Sequence, residues 1–115
     1  MTTADLVDLF ARIGVAQDEA LLGDQYTKFN RLFDRMAAVS NELRQSDGDQ
    51  RRELRGLYSY GNMQVRLKAA IHTLAVFPEE ARAQLEAIAG TNWFPQAGDA
   101  GMSLLNLERG MFKPS

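Results

Sequence analysis

The sequence predicts an all-α protein of about six helices, and three observations lead there. Apolar residues recur at steps of three, four and seven through most of the 115 positions, the period of a helical stripe. Between these runs stand residues suited to helix ends: Gly23, Ser46-Asp47-Gly48, Gly61-Asn62, Pro78, Gly90 and Gly110. No segment sustains the alternation of apolar and polar residues that marks a strand.

The first helix covers residues 4 to 22, with Leu6, Leu9, Phe10, Ile13 and Ala20 as its stripe. Thr2 or Thr3 caps it, Asp5 and Asp8 face the positive end of the helix dipole, and Gly23 stops it. Asp24 is expected to cap a second helix reaching about Ser46. That helix presents Tyr26, Phe29, Phe33, Met36 and Leu43 on one side, with Leu32 and Val39 beside them. Asp49 caps a short third helix over about 50 to 59, with Leu54, Leu57 and Tyr58 inward.

From Asn62 to Phe77 the apolar residues Val65, Leu67, Ala69, Ala70, Ile71, Leu74, Ala75 and Val76 go nearly all the way round the cylinder. A helix of that kind must be covered on most sides, so this fourth helix belongs at the centre of the stack. Pro78 fits the first helical position of a fifth helix ending at Ala89, with Glu79 and Glu80 in its first turn and Ala81, Leu85 and Ile88 inward. After an irregular stretch from Thr91 to Gly98, a sixth helix runs from about Asp99, as cap, to Arg109, showing Met102, Leu104 and Leu105. No Ser/Gly linker or low-complexity stretch divides the chain, which reads as one domain over residues 1–115.

Composition excludes several function classes. Net charge is −2, so no general positive field would gather nucleic acid or anionic lipid. The chain has no Cys and one His, which removes thiolate nucleophiles, disulfides and the usual zinc sites. No run of eighteen apolar residues exists to span a membrane, and the first ten residues lack a basic region followed by an apolar run. The expectation is a cytoplasmic, non-enzymatic protein without cofactor or metal.

His72, the single imidazole, has Lys68 one turn before it and Val76 one turn after, with no legible orienting partner, and reads as a partly covered structural residue. Of the neighbouring carboxylates, Asp5 with Asp8 and Glu79 with Glu80 stand at helix starts and serve the dipole. Asp18 and Glu19 point about 100° apart. Gly98 and Gly101 lack the preceding strand and the following Lys-Ser or Lys-Thr of a phosphate loop. Arg51, Arg52, Arg55 and Arg66 make the middle of the chain locally positive. They read as a solvated face with Arg66 bracing the turn, or as a receptor for a phosphate or an acidic peptide. Trp93 and Phe94, with Phe112, either fold over the open end of the stack, the stronger reading, or anchor a partner.

The segment from Arg52 to Ala89 resembles the helical-hairpin unit of HEAT and armadillo solenoids through Leu54, Leu57, Gly61-Asn62, Val65-Arg66, Ala69-Ala70, Leu74, Pro78 and Leu85. Tyr60 stands where such repeats carry an Asp for the Arg, and Leu74 falls one position late, so the resemblance is HEAT-like. It implies a right-handed α-α superhelix in which Val65 packs between helices and the Ala pair lets helices approach. Four stretches, Ala16–Ala20, Lys28–Phe33, Gln64–Leu67 and above all Trp93–Gly101, are similar to a small bacterial family of unknown function, number twenty-nineteen in its series. That resemblance implies an all-helical superhelical fold and no established activity.

The functional expectation is a protein-protein interaction module whose partner surface draws on Arg52, Arg55, Arg66, Trp93 and Phe94. The alternative is a small-ligand or nucleic-acid pocket between the Arg-rich third helix and the aromatic segment. Self-association is the third, since a stack this short leaves terminal faces to cover.

Overall fold

A computed structural model describes all residues from Met1 to Ser115 as six helices and no strand. They are α1 (Thr3–Leu22), α2 (Tyr26–Gln45), a 3₁₀ helix (Gln50–Ser59), α3 (Met63–His72), α4 (Pro78–Ala89) and α5 (Gln96–Glu108). No helix is long and apolar enough to cross a membrane.

Thr2 and Asp5 form a reciprocal cap at the start of α1: the Asp5 N–H donates to Thr2 Oγ1 at 3.1 Å and the Thr2 N–H to Asp5 Oδ2 at 3.0 Å. The stripe behind it buries Leu6, Phe10, Ile13, Gln17 and Ala20. Asp24 does not cap α2. It adopts a left-handed conformation (φ 55°) and closes α1, while its carboxylate accepts from the Tyr26 hydroxyl at 3.2 Å. The buried stripe of α2 is Leu32, Met36, Val39 and Leu43, so Tyr26 and Phe33, expected inward, lie exposed. Both readings of α2 fit a helical period, and contact with α1 selects the one with Val39 inside.

The third helix is 3₁₀ throughout, and the positions of its buried residues explain why. Arg51, Leu54 and Leu57 are spaced by three, so three residues per turn aligns all of them on one face. The fourth helix ends at His72 rather than Phe77. Thr73 Oγ1 donates back to Ala69 O at 2.8 Å, and Phe77, restricted by the following Pro78, is non-helical (φ −136°, ψ 64°). The sixth helix starts at Gln96, which puts Asp99 inside its first turn and not at the cap; Met102 is exposed.

Helix α3 packs against α1, the 3₁₀ helix, α4 and α5, and none of its residues is exposed. Its two faces belong to two hydrophobic clusters. Val65 and Ala69 join Phe10, Met36, Leu43 and Leu54, whereas Leu67 and Ala70 join Leu85, Ile88 and Ala100. Tyr58 packs against both clusters. Helix α1 comes close to α3 at Gly14: a Cβ there would stand 2.8 Å from Val65 Cγ2 and 3.3 Å from Val65 Cα. Small residues on α1 as well as on α3 therefore set the spacing of the stack.

Candidate functional site

Three glutamines from three helices are fully buried and joined in series. Gln96 Nε2 donates to Gln64 Oε1 at 2.9 Å, and Gln64 Nε2 donates to Gln17 Oε1 at 3.1 Å. The Gln17 amide in turn lies 3.8 Å from Met36 Sδ. Asp18 clips the outer end: its Oδ1 accepts from Gln96 Nε2 at 3.3 Å and its Oδ2 from Asn62 Nδ2 at 3.2 Å. Asn62 Oδ1 meanwhile caps α3 by accepting from the Gln64 and Val65 N–H groups. Gln96 Oε1 is buried without a protein partner. The series works only if all members are present, because a buried amide left without a partner costs about 1–3 kcal/mol.

This chain of amides fixes the start of α5, and the segment just before it is tied down as well. Ala97 N–H donates to Trp93 O at 2.8 Å and Trp93 N–H to Thr91 Oγ1 at 3.3 Å. The backbone is thus held while the rings point outward: Trp93 is 61% and Phe94 69% exposed. The expectation that they fold over the end of the stack is corrected. Leu22, 80% exposed, sits one turn beyond Asp18 on the same face of α1.

The arginines do not join this surface. Arg55 Nη1 lies 3.2 Å from both carboxylate oxygens of Glu80. The Arg52 and Arg55 guanidinium groups stand 5.7 and 4.4 Å from the Phe77 ring centre. Arg66 Nε donates to Tyr60 O and braces the turn into α3. None of Arg52, Arg55, Arg66, Trp93 or Phe94 lines any of the five principal cavities; the two that border the third helix do so through Gln50, Glu53 and Leu57 and through Arg51. Arg51 is buried, its Nε and Nη2 bound to the Asp49 carboxylate at 2.9 and 2.6 Å. That guanidinium holds the Asp49 carboxyl below its usual range.

His72 is covered too. Its Nδ1 lies 2.8 Å from Ser40 Oγ and its ring meets Phe10 edge-on at 5.3 Å. Burial lowers its pKa to about 4, with the Lys68 and Arg51 charges pushing the same way. Sequence reading missed the glutamine series, although one signal was there. In the stripe Leu6, Phe10, Ile13, Gln17, Ala20, Gln17 is the one polar member. Three of the four stretches that resemble a known family contribute to this one network: Gln17 and Asp18, Gln64, and Gln96.

Fold and site together define a six-helix all-α protein that displays an aromatic pair from a frame of buried amides. The chain belongs to the family described as Domain of unknown function (DUF2019), which matches residues 4–108. It is similar to the protein RPA1889 from Rhodopseudomonas palustris CGA009, known from a crystal structure. The two are 61% identical with a TM-score of 0.97, covering 100% of this chain and 95% of that one. No curated protein matches it. Neither the family's description nor the relative's carries an activity, so function has to be argued from the site.

Proposed function

We propose that this protein is a non-enzymatic protein-protein interaction module that binds its partner through Trp93 and Phe94. One observation carries the reading: two large aromatic rings are exposed on a segment whose backbone is hydrogen-bonded to Thr91 and Ala97 and which runs straight into the buried Gln96 amide. Exposed aromatics on a rigid segment cost little entropy to dock, and Trp is among the commonest energetic centres of interfaces. A HEAT-like right-handed superhelix is part of the same reading. It is supported by the pairing of successive helices, α1 with α2, the 3₁₀ helix with α3, α3 with α4 and α4 with α5, and by Val65 buried between α3 and α1. A cytoplasmic setting belongs to it as well.

The arginine group is assigned a structural part, since Glu80 and Phe77 already engage Arg52 and Arg55. Affinity capture from cell extract tests the assignment with three forms of the chain. A partner held by the unchanged chain should be lost with Trp93→Ala/Phe94→Ala, because truncating two anchors of about 2 kcal/mol each weakens binding by roughly 10³-fold. The same partner should stay bound to Arg52→Glu/Arg55→Glu. Capture of no specific partner, or equal capture by the aromatic double variant, overturns the proposal. If sedimentation shows the captured species to be a second copy of the chain, the aromatic variant must be monomeric for the reading to stand.

A further inference from the structure

A second site stands apart from the aromatic pair and uses residues that the interaction reading leaves idle. A cavity of about 290 Å³ is lined by Phe33 of α2, Arg51 of the 3₁₀ helix, Lys68 and His72 of α3, and Phe112 and Lys113 of the terminal segment. Its side-chain lining holds Arg51, Lys68, Lys113 and an imidazole and neither Asp nor Glu, in a chain whose net charge is −2.

The cations differ in what already binds them. Arg51 Nε and Nη2 are taken by Asp49, which leaves Nη1 as donor. Lys68 takes part in no ion pair and no hydrogen bond; its ammonium lies 5.1 Å from the centre of the Phe33 ring. Burial depresses the Lys68 pKa, against a partial offset from Asp99. His72 Nδ1 is engaged by Ser40, so Nε2 is its free ring nitrogen. A half-buried ammonium with no carboxylate within ion-pair distance is costly, and an anion placed beside it relieves the cost that Asp99 offsets only in part.

We propose that this cleft binds a small organic anion, a carboxylate or phosphate carried on a single ring. The anionic head sits among Lys68 Nζ, Arg51 Nη1 and His72, and the ring packs against Phe33 and Phe112. The volume suits one ring, being at the lower limit of small-molecule sites. The two aromatic walls supply the apolar contact that inorganic phosphate lacks.

Benzoate and phenyl phosphate test the proposal in an NMR titration of the full chain, with benzyl alcohol as the neutral counterpart. At least one of the two anions should move the Phe33, Lys68 and His72 signals saturably, and the one that binds more tightly names the head group. Benzyl alcohol should bind at least tenfold more weakly. Lys68→Gln, which keeps most of the side-chain length, should weaken anion binding tenfold or more, whereas Lys68→Arg should retain it. Absence of saturable shifts with both anions, or equal affinity for benzyl alcohol, overturns the proposal. So does unchanged binding by Lys68→Gln. The comparison of charged and neutral ligands uses the unchanged chain, so it stands even where Lys68→Gln fails to fold.

Discussion

Substituting Gly14 by Ala probes the contact on which the stack turns. In an open helix the change would stabilise by about 1 kcal/mol, because glycine gives up more backbone freedom on folding. Here the added Cβ meets Val65 Cγ2 at 2.8 Å and Val65 Cα at 3.3 Å, well inside ordinary carbon–carbon separation. A valine has one dominant helical rotamer, and the second contact is backbone, so the side chain cannot simply swing away. Overpacking of this kind costs about 1–3 kcal/mol, and contact with backbone places it near the top of that range. The net expectation is a loss of about 2 kcal/mol, or roughly 8 °C in Tm. Val65→Ala alone should cost about 2 kcal/mol through lost burial and a small cavity. Combined, the two should be less damaging than their sum by about 1–2 kcal/mol, since removing the Val65 methyls relieves the tighter of the two contacts. Denaturant unfolding of the four proteins gives the cycle directly. A stabilised Gly14→Ala variant, or additivity within about 0.5 kcal/mol, would refute the close packing of α1 on α3.

Two further outcomes follow from the buried polar groups. His72 titrates near 4 in the native state and near 6.5 when unfolded, so between these values the unfolded chain holds the extra proton and stability rises with pH. Stability should be flat in this residue's contribution above about pH 6.5 and fall by about 3 kcal/mol on acidification to pH 4; His72→Gln should flatten that slope in denaturant melts. Gln64→Leu removes the middle of the amide series and strands Gln17 Oε1 and one donor position of Gln96. It should cost about 2–4 kcal/mol. Replacing Gln17, Gln64 and Gln96 together by Leu should cost less than the sum of the three single changes, as equilibrium unfolding would show.

Local rules made parts of this fold legible. The cap at Thr2, the stripe of α1, the proline at the start of α4 and the enclosure of α3 each rest on neighbours in sequence, and the structure has them. The departures arise where a distant contact decides between local options. Over ten residues, a spacing of three between Arg51, Leu54 and Leu57 suits an α-helix nearly as well as a 3₁₀ helix. Tyr26 and Phe33 or Leu32 and Val39 could equally have faced inward; packing against α1 chose the aliphatic pair. The site was harder to read. Glutamine suits a solvated helix face and a buried amide series alike, and only the meeting of α1, α3 and α5 tells them apart. Trp93 and Phe94 were legible as special residues but not as exposed ones, because their orientation is set by Gln96 through partners on two other helices.

Trp93 is the sole tryptophan of the chain, which makes its fluorescence a direct report on the surface at the heart of this account. Collisional quenching by acrylamide, compared between the native and the denatured protein, measures whether the indole stands in water. A native ring quenched nearly as readily as in the denatured chain is the predicted result. An indole shielded several-fold on folding would mean that the segment lies back on the helices, and the aromatic surface would not exist.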